Sequence, residues 1–234
     1  MKKWIKRIAG VVAFLVVIFG GIYSLYFNDP VPAGSSPEQA DALAREMLEA
    51  LNVEAYRETR YLDWSYRGGR NRYHWDKLMG KVEMRWGNFW GRIDLVSPDK
   101  SEIEEEGVPV KGERLKQLTQ KAISYFNNDS FWLVAPFKVF DKGTKRSIVQ
   151  RPDGSPGLLV TYTQGGDTPG DSYLWELNEE NFPVSYRMWV QILPLKGLSA
   201  TWDGWERMES GVWLPQYHEI GPITLDLGKV SASR

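Results

Sequence analysis

Residues 8–27, IAGVVAFLVVIFGGIYSLYF, form an unbroken run of 20 residues without a charge. No other feature narrows the possible folds as much. A helix of that length spans roughly 30 Å, the hydrocarbon thickness of a bilayer. Lys2, Lys3, Lys6 and Arg7 precede the run, and only Asp29 follows closely. The excess of basic residues on one side predicts a cytoplasmic N-terminus with everything after the run outside. Trp4, Tyr23 and Tyr26 stand where interfacial aromatics belong. A cleaved signal peptide, with Val31-Pro32-Ala33 as its processing site, is the competing reading. Against it stand the length of the run and the proline inside the site. The reading therefore divides the chain into a cytoplasmic basic segment (1–7), a transmembrane anchor (8–27), a Pro/Gly/Ser linker (28–35) and one extracytoplasmic domain (36–234). The expected location is a bacterial inner membrane, crossed once, with the domain in the periplasm.

Composition excludes several function classes. The chain has no cysteine, so disulfides, thiol catalysis and Cys-ligated metals are ruled out. Two histidines give no basis for a histidine-rich metal centre, and none is expected. Lys plus Arg number 29 against 30 for Asp plus Glu, which provides no basic field for nucleic acid. No P-loop or dinucleotide fingerprint occurs, so no cofactor is expected.

The exported part reads as helix, strands, helix, strands. Ser36, Pro37 and Gln39 look like an N-cap, a first-turn proline and a capping box. Ala40, Leu43, Ala44, Met47, Leu48 and Leu51 then recur at helical spacing, with Glu46 opposite. Strands follow with aromatic faces: Leu62, Trp64 and Tyr66; Tyr73 and Trp75; Val82, Met84 and Trp86. A fourth strand is expected over 88–96 and a solvated loop over 99–112. A second helix is expected over 113–126. Residues 131–140, broken by Pro136, read as an irregular cover. Strands resume at 146–150, 158–163, 172–177 and 182–193, the last placing Val184, Tyr186, Met188, Val190 and Ile192 on one face. Three further strands are expected at 202–209, 212–216 and 223–227. The fold class is α+β: one large curved antiparallel sheet, an incomplete barrel, covered by two helices and preceded by the transmembrane helix.

Few residues suggest chemistry. His74 and Asp76 share a strand face with Arg72, but side chains two apart on a strand stand ~7 Å from each other, and no Gly-x-Ser-x-Gly elbow accompanies them. Asp167 and Asp171 lie in a turn-rich stretch without EF-hand spacing. Asn128-Asp129-Ser130 matches a glycosylation sequon by composition. With no catalytic motif, the domain is expected not to be an enzyme. The 11 Trp and 11 Tyr point instead to a concave aromatic face, either packed as core or left with room for an apolar guest. Trp86 and Met188 are the candidate lining residues for a lipid or acyl ligand. The alternatives are an envelope hydrolase around His74 and Asp76, and a scaffold domain of an envelope complex.

The order of elements resembles the LolA/LolB-like fold of bacterial lipoprotein carriers. So do the stretches NRYHWD (71–76), NNDSFWLVAPFKVFD (128–141) and GLLVTYTQGGDTPGDSYLWEL (157–177), which are similar to those of uncharacterised envelope proteins of that fold. The resemblance implies an incomplete barrel with a helical lid that holds acyl chains. It implies no functional residues, because the carriers' own motifs are missing.

Overall fold

The computed structural model describes residues 29–165, 168–192 and 195–234. The basic segment, the apolar run and Asp167 lie outside the described residues. Among the described residues, no helix is long and apolar enough to cross a membrane.

The first helix, α1 (Pro37–Ala50), buries Ala40, Ala44, Met47 and Leu48, and leaves Leu43 half-buried and Glu46 exposed. The expected capping box does not form. Ser36 sits at φ 51 with no side-chain cap. Ser35 is paired with Ile148, so the chain must turn sharply from that pairing into the helix. A one-turn neighbour, α2 (Val53–Glu58), is capped by the Asn52 side chain, which accepts from the Ala55 amide.

Instead of one sheet, two large antiparallel sheets form. The first contains β1 (Tyr61–Tyr66), β2 (Asn71–Asp76), β3 (Lys81–Trp86), β4 (Phe89–Asp94), β5 (Glu102–Glu105) and β6 (Val108–Pro109), with β16 (Ser231–Ser233) paired outside β1. Strand order follows chain order, as short turns require. The expected loop over 99–112 is in fact the β5–β6 hairpin. Glu106 and Gly107 both adopt positive φ, 52° and 82°, the geometry of a tight hairpin turn. Ile103 reaches the core from β5.

The second helix is longer than expected. α3 (Gly112–Val134) runs 23 residues, and Pro136 ends it by falling in a 3-10 turn, Ala135–Lys138. This long connection separates the meanders, and the chain starts a new sheet after it. That sheet holds β7 (Thr144–Gln150), β8 (Pro156–Tyr162), β9 (Ser172–Leu177), β10 (Pro183–Trp189) and β11 (Leu198–Thr201), again in sequential order. A register shift between Pro183 and Ser185 turns Val184 outward, and β10 ends before Ile192, which is 69% exposed. Only Tyr186, Met188 and Val190 of the expected face are therefore buried.

Two small hairpins complete the fold: β12 (Glu206–Arg207) with β13 (Trp213–Leu214), and β14 (Tyr217–Ile220) with β15 (Ile223–Asp226). The second lies at the seam between the large sheets. Asp203, just beyond β11, bridges to Tyr217, and Ser65 on β1 donates its amide to the Leu227 carbonyl at 2.8 Å. At the other side β6 and β7 do not pair, so the wall is not closed. Each sheet has its own core, and Trp132 and Phe137, at and just beyond the end of α3, touch both.

Candidate functional site

The inner face of the seven-stranded sheet is built by strict alternation. Leu62, Trp64 and Tyr66 on β1, Tyr73 and Trp75 on β2, and Val82, Met84 and Trp86 on β3 all point into one core, which Ala122, Phe126 and Leu133 of α3 also enter. Trp64 stacks on Tyr73 at 4.6 Å, and Trp75 meets Phe126 of α3 edge-on at 5.1 Å. Trp86 stacks on Phe89 at 5.3 Å and lies over Gly91, where an added Cβ would stand 3.2 Å from the indole. Gly91 is thus the opening in β4 that lets this ring lie down.

The polar atoms on this face are unusual. The indole N–H groups of Trp64, Trp75 and Trp86 and the Thr119 hydroxyl of α3 are buried without a hydrogen-bond partner among the described residues. Buried indoles ordinarily find an acceptor, and an unmet donor costs roughly 1–3 kcal/mol. The second core holds the same kind of groups in the Trp175 indole and the Tyr162 hydroxyl, while the Trp202 indole and the Tyr186 hydroxyl lie within reach of each other.

One polar knot on the first face is fully satisfied. Asp129 of α3 is completely buried, and one of its oxygens accepts from Asn71 Nδ2 at 2.7 Å and from the Tyr73 hydroxyl at 2.6 Å. Its other oxygen accepts from Asn128 Nδ2 at 2.8 Å. Burial and the Asp129 charge together push the Tyr66 hydroxyl up to about 12 and the Tyr73 hydroxyl higher still. The knot ties the middle of α3 to β2. Its signal in the sequence was the spacing of Ala122, Phe126, Asp129 and Leu133, which puts a carboxylate on an apolar helix stripe.

The structure separates the two lining candidates. Trp86 belongs to the first core and Met188 to the second, and each is 4% exposed. Two surface grooves, of about 620 and 530 Å³, lie outside both cores: one between α1 and β7 around Asp41 and Arg146, the other on the β3–β4 and β5–β6 turns, where Arg85, Gly87 and Phe89 flank Trp86.

His74 and Asp76 lie on the outer face of the first sheet and take different partners. His74 Nδ1 contacts Asp63 at 2.8 Å, and the other Asp63 oxygen accepts from the Ser231 hydroxyl at 3.2 Å. A hydrolytic triad needs the histidine between serine and carboxylate, and here the carboxylate is in the middle. Arg60 holds Asp76 with a two-pronged contact, which keeps that carboxyl below its ordinary value. Asp171 is a turn residue: its oxygens accept from the Gln191 amide at 2.8 Å and from the Thr168 hydroxyl. Among the described residues, no group of three His, Asp or Glu side chains is placed to hold a metal.

No family model matches the chain, and no curated protein does. Among solved structures it is similar to a DUF1329 family protein from Desulfovibrio piger, at 9% identity and a TM-score of 0.44, over 85% of this chain and 94% of that one.

Proposed function

We propose that the protein is a membrane-anchored, extracytoplasmic and non-catalytic binder of an acyl-type ligand, which it holds between the seven-stranded sheet and α3. The observation that carries this reading is the set of buried, unpaired donors on an otherwise apolar aromatic face. An indole N–H can only donate. A guest that satisfies three of them needs acceptor oxygens on an apolar body, as an ester or fatty acid has. The LolA/LolB-like resemblance supports the same assignment, with α3 as the lid. For the guest to enter, α3 must lift, and Asp129 is the buried carboxylate whose contacts to β2 it must release, along with the Arg114–Glu105 pair to β5. The reading thus keeps Trp86 as a lining residue and leaves Met188 to the second core.

Titration of the purified chain with a fluorescent fatty-acyl probe tests this. Saturable binding that survives high salt and changes Trp emission is expected, because apolar burial drives it. Trp64→Phe and Trp86→Phe keep the ring and remove the donor, and each should weaken binding about fivefold, one hydrogen bond's worth. His74→Ala on the opposite face should leave binding unchanged. A folded chain that binds no acyl probe, or one in which His74→Ala is the more damaging change, would refute the reading.

A further inference from the structure

Residues 29–36 cross the outer face of the five-stranded sheet as a strap held at both ends. At one end the Asp29 carbonyl accepts from Trp189 Nε1 at 2.8 Å, and the Asp29 carboxylate is paired with Arg187. Both partners are on β10. At the other end Gly34 packs on Ser147 of β7 so closely that an added Cβ would stand 2.0 Å from the hydroxyl. Ser35 then exchanges two backbone hydrogen bonds with Ile148, at 2.9 and 2.7 Å. From β10 to β7 is three strand spacings, about 14 Å, and five extended residues reach about 17 Å. The strap is therefore nearly taut. On the same outer face lies the apolar strip of Val149, Leu159, Leu174 and Trp189, which the segment meets at Trp189. Pro30 and Pro32 suit such an extended segment, since neither needs a partner for an amide.

We propose that this strap turns the outer face of the five-stranded sheet, and the β10–β11 end of it, towards a lipid bilayer. The proposal rests on the reading of residues 8–27 as a membrane anchor. If the run meets the hydrocarbon edge at residue 27, Asp29 stands about 7 Å further out. The headgroup layer is about 5–8 Å deep on each side, so Asp29 lies within it. A docked Asp29 carries its surroundings to the same depth. Gly197, at the base of the β10–β11 connection, lies against Asp29. Ile192, in that connection, is 69% exposed, which is unfavourable in water and suited to the lipid interface. Val108 is equally exposed at 67%, but it sits on the β5–β6 hairpin of the other sheet and serves as the comparison.

The absence of cysteine makes the test clean. Full-length Ile192→Cys and Val108→Cys variants, each carrying one fluorophore, are reconstituted into phosphatidylcholine–phosphatidylglycerol vesicles with a headgroup-attached nitroxide quencher. Several-fold stronger quenching at 192 than at 108 is expected. Equal quenching in a chain that resists alkaline extraction overturns the orientation and leaves the anchor standing. Extraction of the chain by alkali overturns the anchor reading and the orientation with it. Shielding at 192 that grows with protein density and not with quencher would mean that a second copy occupies the loop, which also overturns the proposal.

Discussion

The two large sheets bury their strands in different ways. In the seven-stranded sheet, β1 alternates half-buried and buried residues without a break, and one face meets water. In the five-stranded sheet, β8 and β9 each hold four consecutive buried residues, because α1 covers one face and the strap's path crosses the other. A one-sided sheet can give its inner face to aromatic rings and still change what lies on it. A sheet held from both sides cannot shift without breaking two contacts. The difference separates a candidate binding wall from a supporting wall, and it can be tested by loading each in turn.

The largest effect is expected in the supporting wall. Trp175 is fully buried, with Tyr186 at 5.0 Å and Trp202 at 4.9 Å. Trp175→Ala should lower stability by about 3–5 kcal/mol in denaturant titration. Because Trp132 and Phe137 touch both cores, β1–β3 amides should lose hydrogen-exchange protection together with β7–β11. Loss confined to β7–β11 would show that the walls unfold independently.

A smaller, pH-dependent effect is expected where the walls meet. His218 is completely buried, and its ring nitrogens face the Trp132 carbonyl at 2.6 Å and the Thr201 carbonyl at 2.9 Å. Burial pulls its pKa down to about 4 from 6.5, although the two carbonyls and Asp203 oppose that shift. As pH falls below 6.5 the unfolded chain takes up a proton that the folded chain refuses until about 4. Stability present above that window is lost across it, by up to about 3 kcal/mol. His218→Gln should therefore show a smaller fall in Tm between neutral pH and the bottom of the window than the parent does. An equal fall would mean that other groups drive acid sensitivity.

The smallest effect isolates the binding wall. Asp129→Asn keeps the shape of the knot but replaces one acceptor oxygen with a donor, at a cost of about 1–2 kcal/mol. Amides near the C-terminal half of α3 should exchange faster while β7–β11 stay protected. In the proposed lid reading, the same variant should speed probe entry.

Much of the seven-stranded wall was legible in the sequence, for a physical reason. A strand with one wet face writes its orientation as period two, and Leu62–Trp64–Tyr66 or Val82–Met84–Trp86 show it directly. The supporting wall writes runs such as LLV in β8, from which neither face can be read. β5 was missed because its solvent side is glutamate and only Ile103 points inward. Val184 was misassigned because a bulge leaves no mark in composition. That Trp86 and Met188 belong to different cores was not legible, since periodicity says which face a residue is on and not which sheet. Asp129 was missed because the helix was expected to end at 126, three residues before it, and His218 carried no local signal at all.

The pairing of β1 with β16 has a consequence for assembly. Asp63 and Ser231, which meet across this pair, are 168 residues apart. The other neighbours in that sheet are hairpins, which close in microseconds. The edge of β1 must wait until nearly all the remaining chain is available, and until then it presents unpaired backbone beside an apolar aromatic face. During folding, that interval is when the molecule is most exposed to pairing with another copy of itself.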